Sequence, residues 1–477
     1  MKEEMYQNPL ADRYCSAEMS ALFGQLHCSK IWRKLWIALA ESQRELGLNI
    51  SQAQIDDLYA HCDDINFEAI KKHELNNRHD VMSHILAYGE QSKLAKPILH
   101  LGATSNFVKD NADIVIFRQA LNLIGQKLLV VVQNLSKFAM DYKDLPTLGW
   151  THLQPAQLTT VGKRASLWLY DFVCDFDDLT TLIAKLKLRG AKGTTGTQAS
   201  FLDLFDGDHE KVVQLDSAIA KKFGFDSVFP LTGQTYSRKV DFDILTILSS
   251  VAMSAGKFGT DMRLLSSKKE LEEPFEHGQV GSSAMAYKRN PMRCERLCGI
   301  ARFVVGLPIN LSVTASTQWL ERSLDDSANR RIVMSQAFLA VDSILNLMID
   351  VTSGIVVYPK VILKNINAEL PFMVTENILM QATKLGGDRQ TLHERIRQHS
   401  MAVACNIKQH GQDNDLIQRL RQDTLFEGVN FDDLLNPILY IGRASQQVSE
   451  YFNSTVKLLL DKNRDKLACV PIHKIEL

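Results

Sequence analysis

The sequence predicts an all-α protein organised around a central bundle of long helices. Two observations carry that expectation. Apolar residues recur at steps of three and four through segments far longer than an average helix of ~11 residues. No comparable runs of alternating β-branched residues lie between them. Leu121, Ile124, Leu128, Val131, Leu135 and Phe138 step by 3, 4, 3, 4, 3. Leu158, Val161, Ala165, Trp168, Phe172, Phe176, Leu179, Ile183 and Leu186 keep the alternation over roughly eight turns. Residues 240–265 and 332–351 repeat it.

In chain order, residues 1–111 read as an N-terminal helical domain, 112–364 as the long-helix bundle and 365–477 as a C-terminal helical domain. Residues 29–46 form one helix, with Ile31, Leu35, Leu39 and Leu46 apolar, Lys30, Arg33, Lys34 and Arg44 on other faces, and Gly47 as its stop. Residues 67–88 read as a helical segment containing Arg78, His79 and Asp80. The small and hydroxyl residues of 99–106 break the pattern, and Asp110 is placed to cap the next helix. Leu123, Leu129, Val130 and Val132 widen the apolar stripe of the Leu121 helix. That breadth predicts packing against copies of the chain in other subunits, the alternative being a large core within one chain. After Pro359 the helices shorten, with breaks at 369–371 and at Gly386-Gly387.

Composition narrows the function. Lys plus Arg number 54 and Asp plus Glu 55, a net charge of −1, so nucleic acid and anionic membrane are poor main partners and any anion site must be local. No apolar run approaches the ~20 residues of a membrane span, and residues 1–9 carry acids without an apolar centre, unlike a targeting peptide. Eight cysteines, at 15, 28, 62, 174, 294, 298, 405 and 469, are too scattered for a disulfide framework or zinc site. Free thiols imply a reducing, cytoplasmic setting.

Chemistry concentrates in four stretches. Gly278 and Gly281 with Ser282, Ser283 and Ala284 describe a mobile hydroxyl-bearing loop, followed by Lys288, Arg289, Arg293 and Arg296. Pro291 suits the first turn of a helix through Val304, so loop and cationic helix start together suit a carboxylate or phosphate; a plain surface loop is the competing reading. His152, between Gly149-Trp150-Thr151 and Gln154-Pro155, is read as a titratable histidine on a loop just before a long helix. Residues 192–198 lack the lysine-hydroxyl ending of an ATP phosphate loop but offer donors to a carboxylate. Residues 318–331 place Ser327 and Arg331 four apart on one helical face, near Arg322 and Arg330. This makes a phosphate fork unless Asp325 and Asp326 neutralise the arginines. His79 and His84 miss zinc spacing.

Taken together these stretches resemble a known family. Residues 281–291 are similar to the signature loop of the fumarase/aspartase superfamily, and 100–105 and 192–198 to its two other shared regions. Within it the chain resembles the adenylosuccinate lyases of the animal type, through Arg13-Tyr14, Arg78-His79-Asp80, Thr151-His152 with 153–157, 232–236 and 324–331, nearly the whole chain in order. Ala286 stands where members usually have Pro, which implies a more mobile loop.

The resemblance implies β-elimination of fumarate from adenylosuccinate, giving AMP, and from the succinyl-carboxamide ribotide SAICAR, giving AICAR. It implies a homotetramer whose active sites are shared between subunits, and no cofactor or metal. Ser282 is the implied base and His152 the implied acid, with Lys288 and the helix start after Pro291 activating the base, Asn290 bracing the loop and His79 supporting the acid. Thr104, Ser105, residues 194–198 and Gln234 would hold the dianionic intermediate. Arg13, Tyr14, Arg296, Arg322, Ser327 and Arg331 would hold the nucleotide, with Arg78, Asp80 and Thr151 as further contacts. A sister lyase acting on argininosuccinate, aspartate or malate would leave the Ser327 arginines without a phosphate. A lyase scaffold without catalysis is opposed by the intact Ser282, His152 and Lys288.

Overall fold

A computed structural model of the chain describes residues 6–276 and 278–468; the first residues of the N-terminal segment and Cys469 lie outside the described residues. Four helices of 37, 25, 29 and 29 residues, Ser105–Asp141, Val161–Lys185, Lys239–Ser267 and Asp325–Ser353, form the bundle, and Met292–Val305 packs against the third and fourth. The longest spans about 55 Å. The predicted seam of Leu121, Ile124, Leu128, Val131 and Leu135 is fully buried, and Phe138 nearly so. Leu129 and Val132, beside that seam, are also fully buried within one chain. The chain's own core therefore accounts for most of this helix's breadth.

Several elements differ from the sequence reading. The helix expected at 29–46 begins earlier, as Gln25–Glu45, and ends at Gly47 with φ +100°. The 67–88 segment is two helices, Phe67–Asn77 and Asp80–Gln91, because Arg78 takes the left-handed conformation (φ 54°) and His79 caps the second. Asp110 caps nothing: the long helix starts at Ser105 and Asp110 lies one turn inside it, buried against Arg238. The stripe from Leu158 belongs to a helix only from Val161 onward, since Gln154–Thr160 pairs antiparallel with Pro146–Thr151. Pro291 is the N-cap of Met292–Val305, not its first helical residue.

The expected domain junctions at 111/112 and 364/365 both fall inside helices, Ser105–Asp141 and Pro359–Met373. The chain therefore passes out of the bundle through continuous helix. By length and hydropathy Ser105–Asp141, Met292–Thr317 and Asp325–Ser353 could each cross a membrane, contrary to the expectation that no run was long enough. The apolar windows of the first and third are 67% and 78% buried in the protein, whereas that of Met292–Thr317 is only 33% buried.

Charge holds the bundle's active end together. Arg238 bridges Asp110 at 3.1 Å and Asp326 at 2.7 Å, and Arg330 meets Asp241 at 2.5 Å, Asp113 at 3.0 Å and the Tyr236 hydroxyl at 2.6 Å. Apart from the partly exposed Asp113 these groups are buried, so each partner satisfies a charge that would otherwise be costly to desolvate.

Two histidines, His84 buried and His100 partly buried, give the fold a pH dependence. His84 stacks edge-on to Trp32 at 4.8 Å, and burial, aided by the charge of Arg33, holds it down to about 4. His100 accepts a 2.8 Å bond from Trp36 Nε1, and burial, with His79 nearby, lowers it to about 4 as well. Both pKa values lie below the unfolded value near ~6.5, so acid favours the unfolded chain. Their contribution is complete above pH ~6.5 and is lost progressively as pH falls toward 4, by roughly 3 kcal/mol each. His84→Phe is expected to flatten the fall in thermal midpoint between pH 7.5 and pH 5; an unchanged slope would contradict the assignment.

Candidate active site

A cavity of about 280 Å³ opens where Asp325–Ser353 begins, beside the first turns of Asp80–Gln91 and Ser105–Asp141. Asp80, Lys109, Arg322, Ser327 and Arg331 line it, with Cys28, Trp32 and Phe117 on its apolar side. The helix places Ser327 and Arg331 on one face, as their spacing predicts. The arginines themselves divide. Arg322 donates to both carboxylate oxygens of Asp326 at 3.0 Å, so the ion-paired reading holds for it. Arg330 is committed to Asp241, Asp113 and Tyr236. Arg331 is exposed and enters no ion pair among the described residues.

Asp80 is held by Lys109 Nζ at 2.8 Å and the Val81 N–H at 2.8 Å. Burial pushes its carboxyl up, but the Lys109 bond and charge outweigh that and leave it below the usual range. Lys109 had no signal in the sequence reading; its i+29 distance from Asp80 makes the pairing visible only in three dimensions. His79 accepts the Met82 N–H at Nδ1, 3.2 Å, which places its proton on Nε2. Arg78 is exposed at the turn just before it.

Three loops meet next to this cavity. Gln234 donates from Nε2 to Thr104 Oγ1 at 3.3 Å and from its backbone to the Glu321 carbonyl at 3.0 Å. Buried Arg189 ties the loops together, through Nε to the Gln234 carbonyl (2.8 Å) and Nη2 to the Gly193 carbonyl (2.7 Å). Gly196, at φ +84°, approaches so closely that a Cβ there would lie 1.9 Å from the Thr232 carbonyl oxygen. The Ser105–Asp141 helix starts here with Thr104 in extended N-cap geometry, making no side-chain cap bond. The helix dipole makes this end compatible with an anion. One expectation fails in part: Gln198 is spent on the Ala191 carbonyl and Asp216, and Lys192 on a buried 2.5 Å pair with Asp216. Of the side chains of the 194–198 loop, Thr195 and Thr197 share a 3.3 Å hydroxyl bond and Thr194 is exposed.

The signature loop is built differently from its sequence reading. Ser282 Oγ accepts the Met285 N–H at 3.2 Å, and Asn290 Nδ2 donates to the Gly281 carbonyl at 2.7 Å, bracing the loop as expected. A Cβ at Gly281 would lie 2.1 Å from the Lys288 carbonyl oxygen, so the loop's two ends are pinched together there. Ala286 is the second residue of a turn closed by the Lys288 N–H on the Met285 carbonyl at 3.0 Å, a position that proline suits. The helix start after Pro291 is not an open anion receptor. Buried Glu273 already accepts the N–H groups of Arg293 and Cys294, both at 3.0 Å. Arg293 is itself buried against Glu276 and Asp350, and Arg289 reaches Glu272. Of the cations Lys288, Arg289 and Arg293, Lys288 alone is exposed and without an ion pair among the described residues.

The remaining residues lie elsewhere in the chain. Tyr14 sits between Arg13 and Arg296, whose guanidinium carbons are 5.8 and 5.4 Å from its ring centroid, and Arg296 Nη1 is buried without a partner. Ser16, two residues on, bonds to Asp342, and eleven helical residues separate Asp342 from Arg331, or about 16 Å. His152 is not on a loop before a helix. It and Leu153, at φ 53° and 56°, form the two-residue tip of the hairpin in which Thr151 pairs with Gln154. This is the geometry of a type I′ turn, which a His-Leu pair does not announce. Thr151, His152 and Leu153 are all exposed. The chain thus brings together Asp80, His79, Thr104, Ser105, Gln234, Arg322, Ser327 and Arg331. It holds Arg13, Tyr14 and Arg296 in a second place, and keeps Ser282 and His152 on two separate projections.

Known proteins share this architecture. The 3-carboxy-cis,cis-muconate lactonizing enzyme of Pseudomonas putida superposes with a TM-score of 0.79 at 24% identity, covering 93% of this chain and 98% of its own. The fumarate lyase of Mesorhizobium sp. BNC1 gives 0.78 at 20%, covering 94% and 100%. A family model described as lyase matches residues 24–306, and one described as adenylosuccinate lyase C-terminus matches 371–451. The fold is that of the fumarase/aspartase lyases, and the protein is a carbon–nitrogen lyase. Adenylosuccinate lyases of Schizosaccharomyces pombe (51% identical over 460 residues, 95% of each chain), Saccharomyces cerevisiae (50% over 456 residues, 94% of this chain and 95% of its own) and Schistosoma mansoni (46% over 469 residues, 98% of each) are among its relatives. The chain belongs to the adenylosuccinate lyase family.

Proposed function

We propose that the chain cleaves adenylosuccinate to AMP and fumarate, and SAICAR to AICAR and fumarate. Ser282 Oγ removes the proton beside the carboxylate; the released electron pair spreads into that carboxylate, then forms the fumarate double bond as the C–N bond breaks. His152 protonates the departing nitrogen. Lys288 favours the serine alkoxide, Thr104, Ser105 and Gln234 hold the dianion, and His79 orients the acid. Arg78, Asp80, Thr151, Arg13, Tyr14 and Arg296 complete the contacts to substrate. The observation that carries the nucleotide reading is Arg331, unpaired beside Ser327 on a cavity of about 280 Å³; a free amino-acid substrate offers it no phosphate.

The test is the ultraviolet change on adding adenylosuccinate, with argininosuccinate, aspartate and malate assayed alongside for fumarate. AMP and fumarate in equal amounts, from adenylosuccinate alone, is the expected result. Arg331→Ala should raise KM at least ten-fold with kcat changed less, the pattern of lost ground-state binding; an unchanged KM removes it from the phosphate site.

The site works, in this reading, as a homotetramer in which three subunits supply residues to each centre. Its support is the dispersal of the residues within one subunit, together with the uncovered apolar face of Met292–Thr317, where Phe303, Val305, Ile309 and Val313 are exposed. A cytoplasmic location is supported by seven free, scattered cysteines among the described residues.

A further inference from the structure

A buried polar knot ties the N-terminal segment to the centre of the bundle. Lys127, Asp342, Asn346 and Ser16 are 1%, 0%, 6% and 3% exposed. Asp342 pairs with Lys127 and also accepts the Ser16 backbone N–H at 2.6 Å. Lys127 Nζ donates to Ser16 Oγ at 3.2 Å and to Asn346 Oδ1 at 2.7 Å. Replacing such a buried ion pair by apolar residues of similar volume is often neutral or stabilising, so stability alone is a weak account of it. What distinguishes this pair is its third partner. Neither charge is needed to join Ser105–Asp141 to Asp325–Ser353, which already share a continuous apolar seam. The pair instead grips a chain end that buries little of its own: no residue of Leu10–Tyr14 is fully buried.

From these contacts we propose that Lys127 and Asp342 are positioning residues for substrate binding, acting through Ser16 to hold Arg13 and Tyr14 against Arg296. The inference rests on the reading that Arg13 and Tyr14 contact the nucleotide. Fixing Ser16 sets where the turn just before it emerges, and Tyr14 then meets the Arg296 guanidinium on the Met292–Val305 helix. An untied segment would have to be ordered by the substrate itself, which weakens binding without altering chemistry.

The test compares the tetrameric enzyme with Lys127→Met/Asp342→Leu, which keeps the core filled, and with Ser16→Pro. The latter leaves both charges in place and removes Ser16's own ties, the N–H given to Asp342 and the hydroxyl that accepts from Lys127 and from the Met19 N–H, at a residue whose φ of −72° already suits proline. Both should keep their helicity and assembly size, raise KM for adenylosuccinate about ten-fold and leave kcat within about two-fold. Trypsin should cut after Arg13 faster in both. Combining Ser16→Pro with Arg13→Ala should raise KM no further than the larger single effect, because the two changes remove one interaction. Multiplying effects, or an unchanged KM and cleavage rate in a folded Ser16→Pro enzyme, overturn the proposal. An Arg13→Ala enzyme with normal KM, set beside a raised KM in Ser16→Pro, instead identifies the substrate reading of Arg13 as the part that failed.

Discussion

Ser282→Ala is expected to bind adenylosuccinate and barely turn it over, with kcat lowered by about three orders of magnitude or more and KM changed little. A serine hydroxyl is a poor base at its ordinary pKa, so its activity depends on the loop presenting it to a dry site with a cation nearby. In the structure Ser282 Oγ accepts the Met285 N–H, and Lys288 stands exposed without an ion-pair partner among the described residues. Alanine keeps the small side chain and the Asn290–Gly281 brace, so binding should survive. Rapid-mixing binding and steady-state rates check this together. Near-normal turnover would remove Ser282 from the chemistry.

The second large effect is expected from His152→Gln, with kcat falling by 10²–10⁴, the ordinary contribution of a general acid. The structure adds a sharper expectation. His152 stands on a hairpin tip and Ser282 on a separate loop, and our reading takes them from different subunits into each site. Denaturing and reassembling a mixture of inactive Ser282→Ala and His152→Gln enzymes should therefore restore activity. With random assembly from equal amounts, about a quarter of the sites receive both intact residues. Continued silence in a reassembled tetramer would place both groups in one subunit's contribution.

The sequence was most informative where periodicity or a local motif carries the signal. The stripes from Leu121 to Leu135 and from Val161 to Leu179 are buried as predicted, whereas that of 332–351 opens on an exposed Ile332, and Ser327 with Arg331 lies on the expected face. It was least informative where a polar group has two rival partners. Nothing in Glu273 marks it as the acceptor that fills the helix start after Pro291, and Arg322 and Arg331 look alike until Asp326 is seen to claim the first. The hairpin was missed for a different reason. Its tip is His-Leu rather than a glycine-bearing pair, and its strands continue into a helix whose apolar periodicity extends back in the sequence to Leu158. Arg78 likewise hides a helix break, since an arginine in the left-handed region leaves no trace in hydropathy.

The pinch between Gly281 and Lys288 changes what kind of moving part the signature loop is. A free segment of this length would have to freeze its backbone residue by residue on closing, at ~1–2 kcal/mol each. Joined at its feet by glycine packing and by the Asn290 bond, it is instead a hoop whose freedom is concentrated at the crown, around Ala286. Closing such a hoop means swinging it about its footings and stiffening a short arc. The cost of ordering therefore falls on a few torsions near Ser282, and a proline at 286 would act on that arc.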